Sequence, residues 1–197
     1  MEGKKHVFNT IENALITLDS ESWQVLKGKA LEHFKSHREG QKKQDFFNQL
    51  NEAFAYQYLI SQGYSYVKIL SESNRKNDKT PDISYVDNGK EYFCEVKTIG
   101  ISLDEIFRRS ATNEYVDRSN YIKLQPEFFN KLVDTIEKAK EQINTEGEGF
   151  VFVLIRPDDF AQTYMRTYRE QITSFVQDYD RTKLVIKFEC DGELFFN

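Results

Sequence analysis

Two carboxylates near the middle of the chain, Asp82 and Glu95, have the types and spacing to grip a divalent cation, and the amine of Lys97 stands alongside to steady an attacking water or a developing negative charge. Between them stands Asn88-Gly89, the strongest two-residue hairpin signal in the sequence. A type I′ turn needs positive φ at both central positions, which Asn tolerates and Gly adopts freely. Counting outward from that tip sets Asp87 opposite Lys90, Tyr85 opposite Tyr92, Ile83 opposite Cys94 and Asp82 opposite Glu95. Directly opposed residues put their side chains about 5 Å apart on one face. Lys97 lies two residues beyond Glu95, so strand alternation puts it on the same face, while Ile83, Tyr85, Tyr92, Cys94 and Val96 point the other way. Two carboxylates facing each other repel. A hard cation held by oxygens offsets that repulsion. The rival reading is an exposed hairpin on which the three groups form a solvated salt bridge, a contact that contributes on the order of 0–1 kcal/mol.

The elements that must position these groups can be read in order. Residues 1–44 form a helical extension, in which Ser20 or Ser22 caps a helix carrying Trp23, Leu26, Ala30, Leu31 and Phe34 at spacings of three and four. His33 and His37 have the i, i+4 spacing of metal ligands but no third ligand nearby, which favours a solvated helix face. A second helix is predicted over residues 44–62, closed by Gly63 and apolar at Phe46, Phe47, Leu50, Ala53, Phe54, Tyr58 and Leu59. Glu52 interrupts that face: it either looks to water or is a further acid aimed at the hairpin. A first strand covers Tyr64 to Leu70. The polar loop after it carries Arg75, Lys76 and Lys79, placed either to meet phosphates or simply to face solvent.

Beyond Lys97, residues 99–125 are the least readable stretch. Arg108-Arg109 there suits either the end of a short helix or a phosphate backbone, which the planar donor fork of Arg matches. Pro126 opens a helix whose buried stripe is Phe129, Leu132, Val133, Ile136, Ala139 and Ile143; Lys138 and Gln142 share another face, read mainly as solvent-facing. The continuous apolar run Phe150–Ile155 suits a central strand covered on both faces. A helix from Pro157 through Tyr179 and a terminal hairpin around Asp191-Gly192 follow.

The spacing Pro81-Asp82 followed by Glu95-Val96-Lys97 resembles the PD-(D/E)xK nuclease superfamily, the restriction-endonuclease-like fold. The resemblance covers roughly Asp45 to Arg156, and its motifs are moderately specific in a chain this rich in Asp, Glu and Lys. It implies an α/β (α+β) architecture: a mixed sheet flanked by helices with an αβββαβ core. The N-terminal extension (1–44) then precedes a nuclease domain (45–197) that ends in a helix and hairpin. It implies Mg²⁺ or Mn²⁺ held by Asp82, Glu95 and the Val96 carbonyl, with Glu52 as the added helix acid. Glu52, Asp82, Glu95 and Lys97 are thus the catalytic set. Arg75, Lys76, Lys79, Arg108 and Arg109 are the candidates for binding nucleic acid.

Composition bounds these readings. The net charge of −5 argues against a strong, indiscriminate nucleic-acid binder, which usually carries a basic stripe. It leaves weak or selective binding, helped by a homodimer or a partner protein. Sixteen Phe and eleven Tyr supply much of a core. Two cysteines make no disulfide framework, which together with the lack of a signal peptide points to a cytoplasmic protein. The longest apolar run falls far short of the ~20 residues that span a bilayer, so no membrane partner is expected. No nucleotide-binding Gly-rich loop, Gly-x-Ser-x-Gly elbow or zinc-type Cys/His set occurs. Three functions stay open: a metal-dependent nuclease, in first place a DNA endonuclease; a binding or assembly module of the same fold without turnover; and a metal-free interaction protein.

Overall fold

The computed structural model describes residues 2–35, 43–71, 80–100, 122–156, 164–178, 183–188 and 194–196. The chain is α+β, with a mixed sheet and flanking helices. It divides into two compact units, one of Met1–Val96 with Lys138–Phe152, the other of Lys97–Glu137 with Val153–Asn197. The N-terminal extension therefore belongs to the same unit as the hairpin.

The first unit contains α1 (Glu2–Ile16), α2 (Ser20–Lys35), α3 (Gln44–Gln49), α4 (Glu52–Ser61), β1 (Ser65–Ile69) and β2 (Ile83–Asp87). It also holds most of β3 (Lys90–Ile99), the end of α5 (Pro126–Asn144) and the start of β4 (Gly149–Ile155). Its strands lie in the order β1-β2-β3-β4. Asn88 and Gly89 have φ of 49° and 79°, and Ile83 pairs with Cys94, Tyr85 with Tyr92 and Asp87 with Lys90. The hairpin register is the one counted from the sequence. Stacked rings of Tyr85 and Tyr92, with centroids 5.7 Å apart, fill one face, and Tyr64 and Phe150 close around Tyr85.

β4 runs parallel to β3. The Phe93 amide donates to the Glu148 carbonyl at 2.8 Å, and the Arg156 amide donates to that of Ile99 at 2.9 Å, so both strands advance together. Gly149 makes this approach possible: a Cβ there would lie 1.7 Å from the Phe93 carbonyl oxygen. Residues Val151 to Leu154 are wholly buried, as a central strand requires.

Three helical expectations change. The single helix over 44–62 is broken into α3 and α4 at Leu50-Asn51. There the Asn51 amide donates to Asn48 and that of Ala53 to Leu50, each at 3.1 Å, in the i→i−3 pattern of a tighter turn. Glu52 thereby falls in the first turn of α4, where the positive end of the helix favours a carboxylate. Gly63, with φ of 81°, closes α4 as expected. The cap of α2 is Asp19 rather than Ser20 or Ser22, since its Oδ1 accepts the Ser22 amide at 2.7 Å. Leu31 and Phe34, expected on the apolar stripe, are each 44 % exposed.

In the second unit the strand order is β4, β5 (Leu184–Phe188), β6 (Leu194–Phe196). β5 and β6 form the expected antiparallel hairpin, with Val185 opposite Phe196. α6 (Met165–Asp178) buries Tyr168, Ile172 and Val176, spaced at four, the stripe of a helix packed on one face. The predicted start of this helix, residues 157–163, lies outside the described residues. Along α5, Leu132, Ile136, Ala139 and Ile143 are buried as their spacing requires.

Candidate functional site

The site is assembled in the first unit by α2, α4 and the base of the β2–β3 hairpin. α2 is fixed at its N-terminus by three contacts. The Tyr56 hydroxyl of α4 donates to Asp19 Oδ2 at 3.2 Å, Asp19 Oδ1 caps the helix, and the Ser22 Oγ accepts the Ile69 amide of β1 at 3.2 Å. Burial pushes the Asp19 carboxyl up, but the bonds from Ser22, Tyr56 and Glu21 outweigh it and hold the group below its ordinary value. Ser22, Leu26 and Lys29 are spaced i, i+4, i+7, and all three are buried. That stripe carries the Lys29 ammonium inward.

Lys29 meets two acids. Its Nζ donates to Glu52 Oε1 at 2.8 Å and Oε2 at 3.1 Å, and stands 3.7 Å from Asp82 Oδ1. The Lys29 and Glu52 side chains are 7 % and 4 % exposed. The Gln49 amide also donates to Glu52 Oε1. Burial and then the neighbouring Asp82 charge drive the Glu52 carboxyl well above the usual range, against the opposing pull of Lys29.

Asp82 is held from three sides. Its Oδ2 accepts the Val96 amide at 2.8 Å, and its carbonyl accepts the Leu70 amide at 2.8 Å. The Gln142 side chain of α5 donates to the carbonyl of Thr80 at 2.7 Å, fixing the approach to Pro81-Asp82. Gln142 therefore holds the irregular segment that leads into Asp82 instead of facing solvent, whereas Lys138 is exposed.

The expected opposition of Asp82 and Glu95 changes in its detail. The ladder starts one step later, at Ile83–Cys94, and Asp82 sits at a bend where its carboxylate turns to the Val96 amide. The acid that it meets is Glu52. Glu95 is on β3 and 1 % exposed, not on a solvated face, so the exposed-hairpin reading does not hold for it. Burial raises the Cys94 thiol well above its ordinary value, and the charges of Asp82, Glu95 and Glu52 all add to the shift. Lys97 follows on the same strand, partly buried, as the first residue of the second unit.

Arg75, Lys76, Lys79, Arg108 and Arg109 lie outside the described residues, as does His37. Sequence reasoning missed Lys29 and Gln49. Lys29 did leave a signal, a lysine on the buried stripe of α2; Gln49 left none, because its role depends on the break between α3 and α4.

Among the described residues no three His, Cys, Asp or Glu side chains converge closely enough to hold a metal ion. Glu52 and Asp82 still have the chemistry for a hard divalent cation. Magnesium is commonly held by one or two carboxylates with water completing its shell. The cation shared by this acid pair is the ammonium of Lys29. No described helix is long and apolar enough to cross a membrane. No family model, curated protein or solved structure matches the chain.

Proposed function

We propose that the protein is a divalent-metal-dependent phosphodiesterase acting on nucleic acid, in first place a DNA endonuclease of restriction-endonuclease-like architecture. The element order from α4 through β1, β2, β3 and α5 to β4 supports the αβββαβ core. The observation that carries the reading is the meeting of Glu52 and Asp82 around one buried ammonium, at the base of a hairpin that also buries Glu95. Acids buried together at a cost in repulsion suit a site built for a cation.

In this proposal Glu52 and Asp82, the two acids that meet, would hold Mg²⁺ or Mn²⁺ with water completing its shell, and Glu95 and the Val96 carbonyl are the further ligands that the resemblance implies. When bound, such an ion polarises the scissile phosphate and makes a bound water more acidic. The Val96 amide and Gln142 keep Asp82 in place. Lys97 takes the role that the resemblance gives it, orienting the attacking water or balancing charge on the phosphate. Arg75, Lys76, Lys79, Arg108 and Arg109 are the proposed phosphate contacts, and the products are a 5′-phosphate and a 3′-hydroxyl. Plasmid cleavage with Mg²⁺ tests this. Asp82→Ala and Lys97→Ala should each lower cutting to background, and undiminished cutting by both removes these residues from the mechanism.

The Lys29 contact favours a second reading, a nucleic-acid-binding or assembly module of the same fold. A buried ammonium already balances the acid pair without a metal. This reading predicts no Mn²⁺ binding heat at millimolar concentration, with DNA binding retained.

A further inference from the structure

We propose that Lys29 is an exchangeable cation: its ammonium fills the position between Glu52 and Asp82 that a divalent ion takes, and must leave when the ion enters. The inference rests on the metal-dependent reading above and adds a device that the Asp82, Glu95 and Lys97 motif does not contain. Nζ contacts both Glu52 oxygens and lies 3.7 Å from Asp82 Oδ1, so it occupies the space the two acids share. A dication bound by the same oxygens would lie within a few ångströms of a positive charge, in a region nearly closed to water. Repulsion at that range is far stronger than between exposed charges.

Lysine suits this exchange. Its charge is compact and sits on a flexible stem of four carbons, so the head group can swing out while α2 stays fixed at Asp19 and Ser22. Without metal the ammonium limits repulsion between Glu52 and Asp82 and so preserves the fold. With metal present it competes, and the ion's affinity is lower than the acids alone would provide.

The test uses the full chain and two independent readouts. In the ¹⁵N-labelled native protein the Lys29 ammonium signal, identified by its absence from Lys29→Arg, should shift or vanish on titration with Mg²⁺. By calorimetry, Lys29→Met should bind Mn²⁺ at least about tenfold more tightly than the native protein, because a competing charge is gone. If the native chain binds Mn²⁺ but the Lys29 signal stays unchanged through saturation with Mg²⁺, the exchange is refuted while the metal-dependent reading stands. Equal Mn²⁺ affinity of the native chain and Lys29→Met has the same meaning. No Mn²⁺ heat from either protein overturns the metal-dependent reading, and the exchange with it. Should Lys29→Met fail to fold, the native titration decides alone.

Discussion

Replacing Lys29 by methionine keeps most of the unbranched side chain and removes its charge together with its N–H donors, which makes the change a direct test of how the acid pair is held. Both partners of the ion pair are almost excluded from water, at 7 % and 4 % exposure, so solvent screening offsets little of the loss. Removing one member of a buried pair costs about 3–5 kcal/mol, because the other charge is left uncompensated. Glu52 can escape part of that by taking up a proton, its carboxyl already lying well above the ordinary range. We expect a loss of about 3 kcal/mol at neutral pH, a large share of the roughly 5–15 kcal/mol that stabilises a domain. The sign of the pH dependence follows from the raised carboxyl. Below the ordinary glutamate value of 4.5, Glu52 is neutral in the folded and unfolded chain alike, and the charge penalty is absent. As the pH rises, the unfolded chain ionises first and both proteins lose stability alike. The variant falls behind above the native carboxyl's raised value, because without the lowering pull of Lys29 its own lies higher still. Urea denaturation should therefore find the variant closer to the native protein at pH 5 than at pH 8. Adding Glu52→Gln should recover part of the loss, as expected for groups in contact. A Lys29→Met protein within about 1 kcal/mol of the native one at pH 8, or a penalty equal at both pH values, would refute the buried-pair argument.

Other consequences are open to direct measurement. Gly149→Ala places a carbon against the Phe93 carbonyl, 1.7 Å away before any relaxation, so the parallel strands must separate; denaturation should show a loss of about 3 kcal/mol or more, and a change under 0.5 kcal/mol would contradict the described contact. Cys94 is fully buried with its thiol pushed well up, so at pH 8 a thiol reagent should leave it unmodified until denaturant is added. Asp19→Ala removes the cap of α2 and should cost about 0.5–2 kcal/mol in a denaturation midpoint analysis. Because the Asp19 carboxyl is held below its ordinary value of 3.8, its contribution is present above that pH and fades as the pH falls through the lowered value; the variant should lose less stability there than the native protein.

Much of the hairpin was legible in the sequence because its cause is local. Asn88-Gly89 alone supplies the two positive φ values a tight reversal needs, and the pairing of Ile83 to Asp87 with Cys94 to Lys90 follows from it. The buried stripe of α5 and the buried strand β4 were legible for the same kind of reason, a period of hydrophobicity that matches the element. The break at Leu50-Asn51 was not, since Phe46 through Leu59 reads as one apolar helix. Propensity does not show where a buried chain tightens by one hydrogen bond.

Local patterning was enough for a reversal with an acid near each end and a lysine beyond, and for most of the elements around it. Which charges meet was settled by packing alone. Ion pairing depends on distances between residues far apart in the chain, and Lys29 comes from a helix more than twenty residues before Glu52 and some fifty before Asp82. The tight turn faces two acids only in the ladder's count. At the bend before β2, the Val96 amide turns Asp82 aside, and burial of α2 against α4 and β1 delivers the ammonium that it meets.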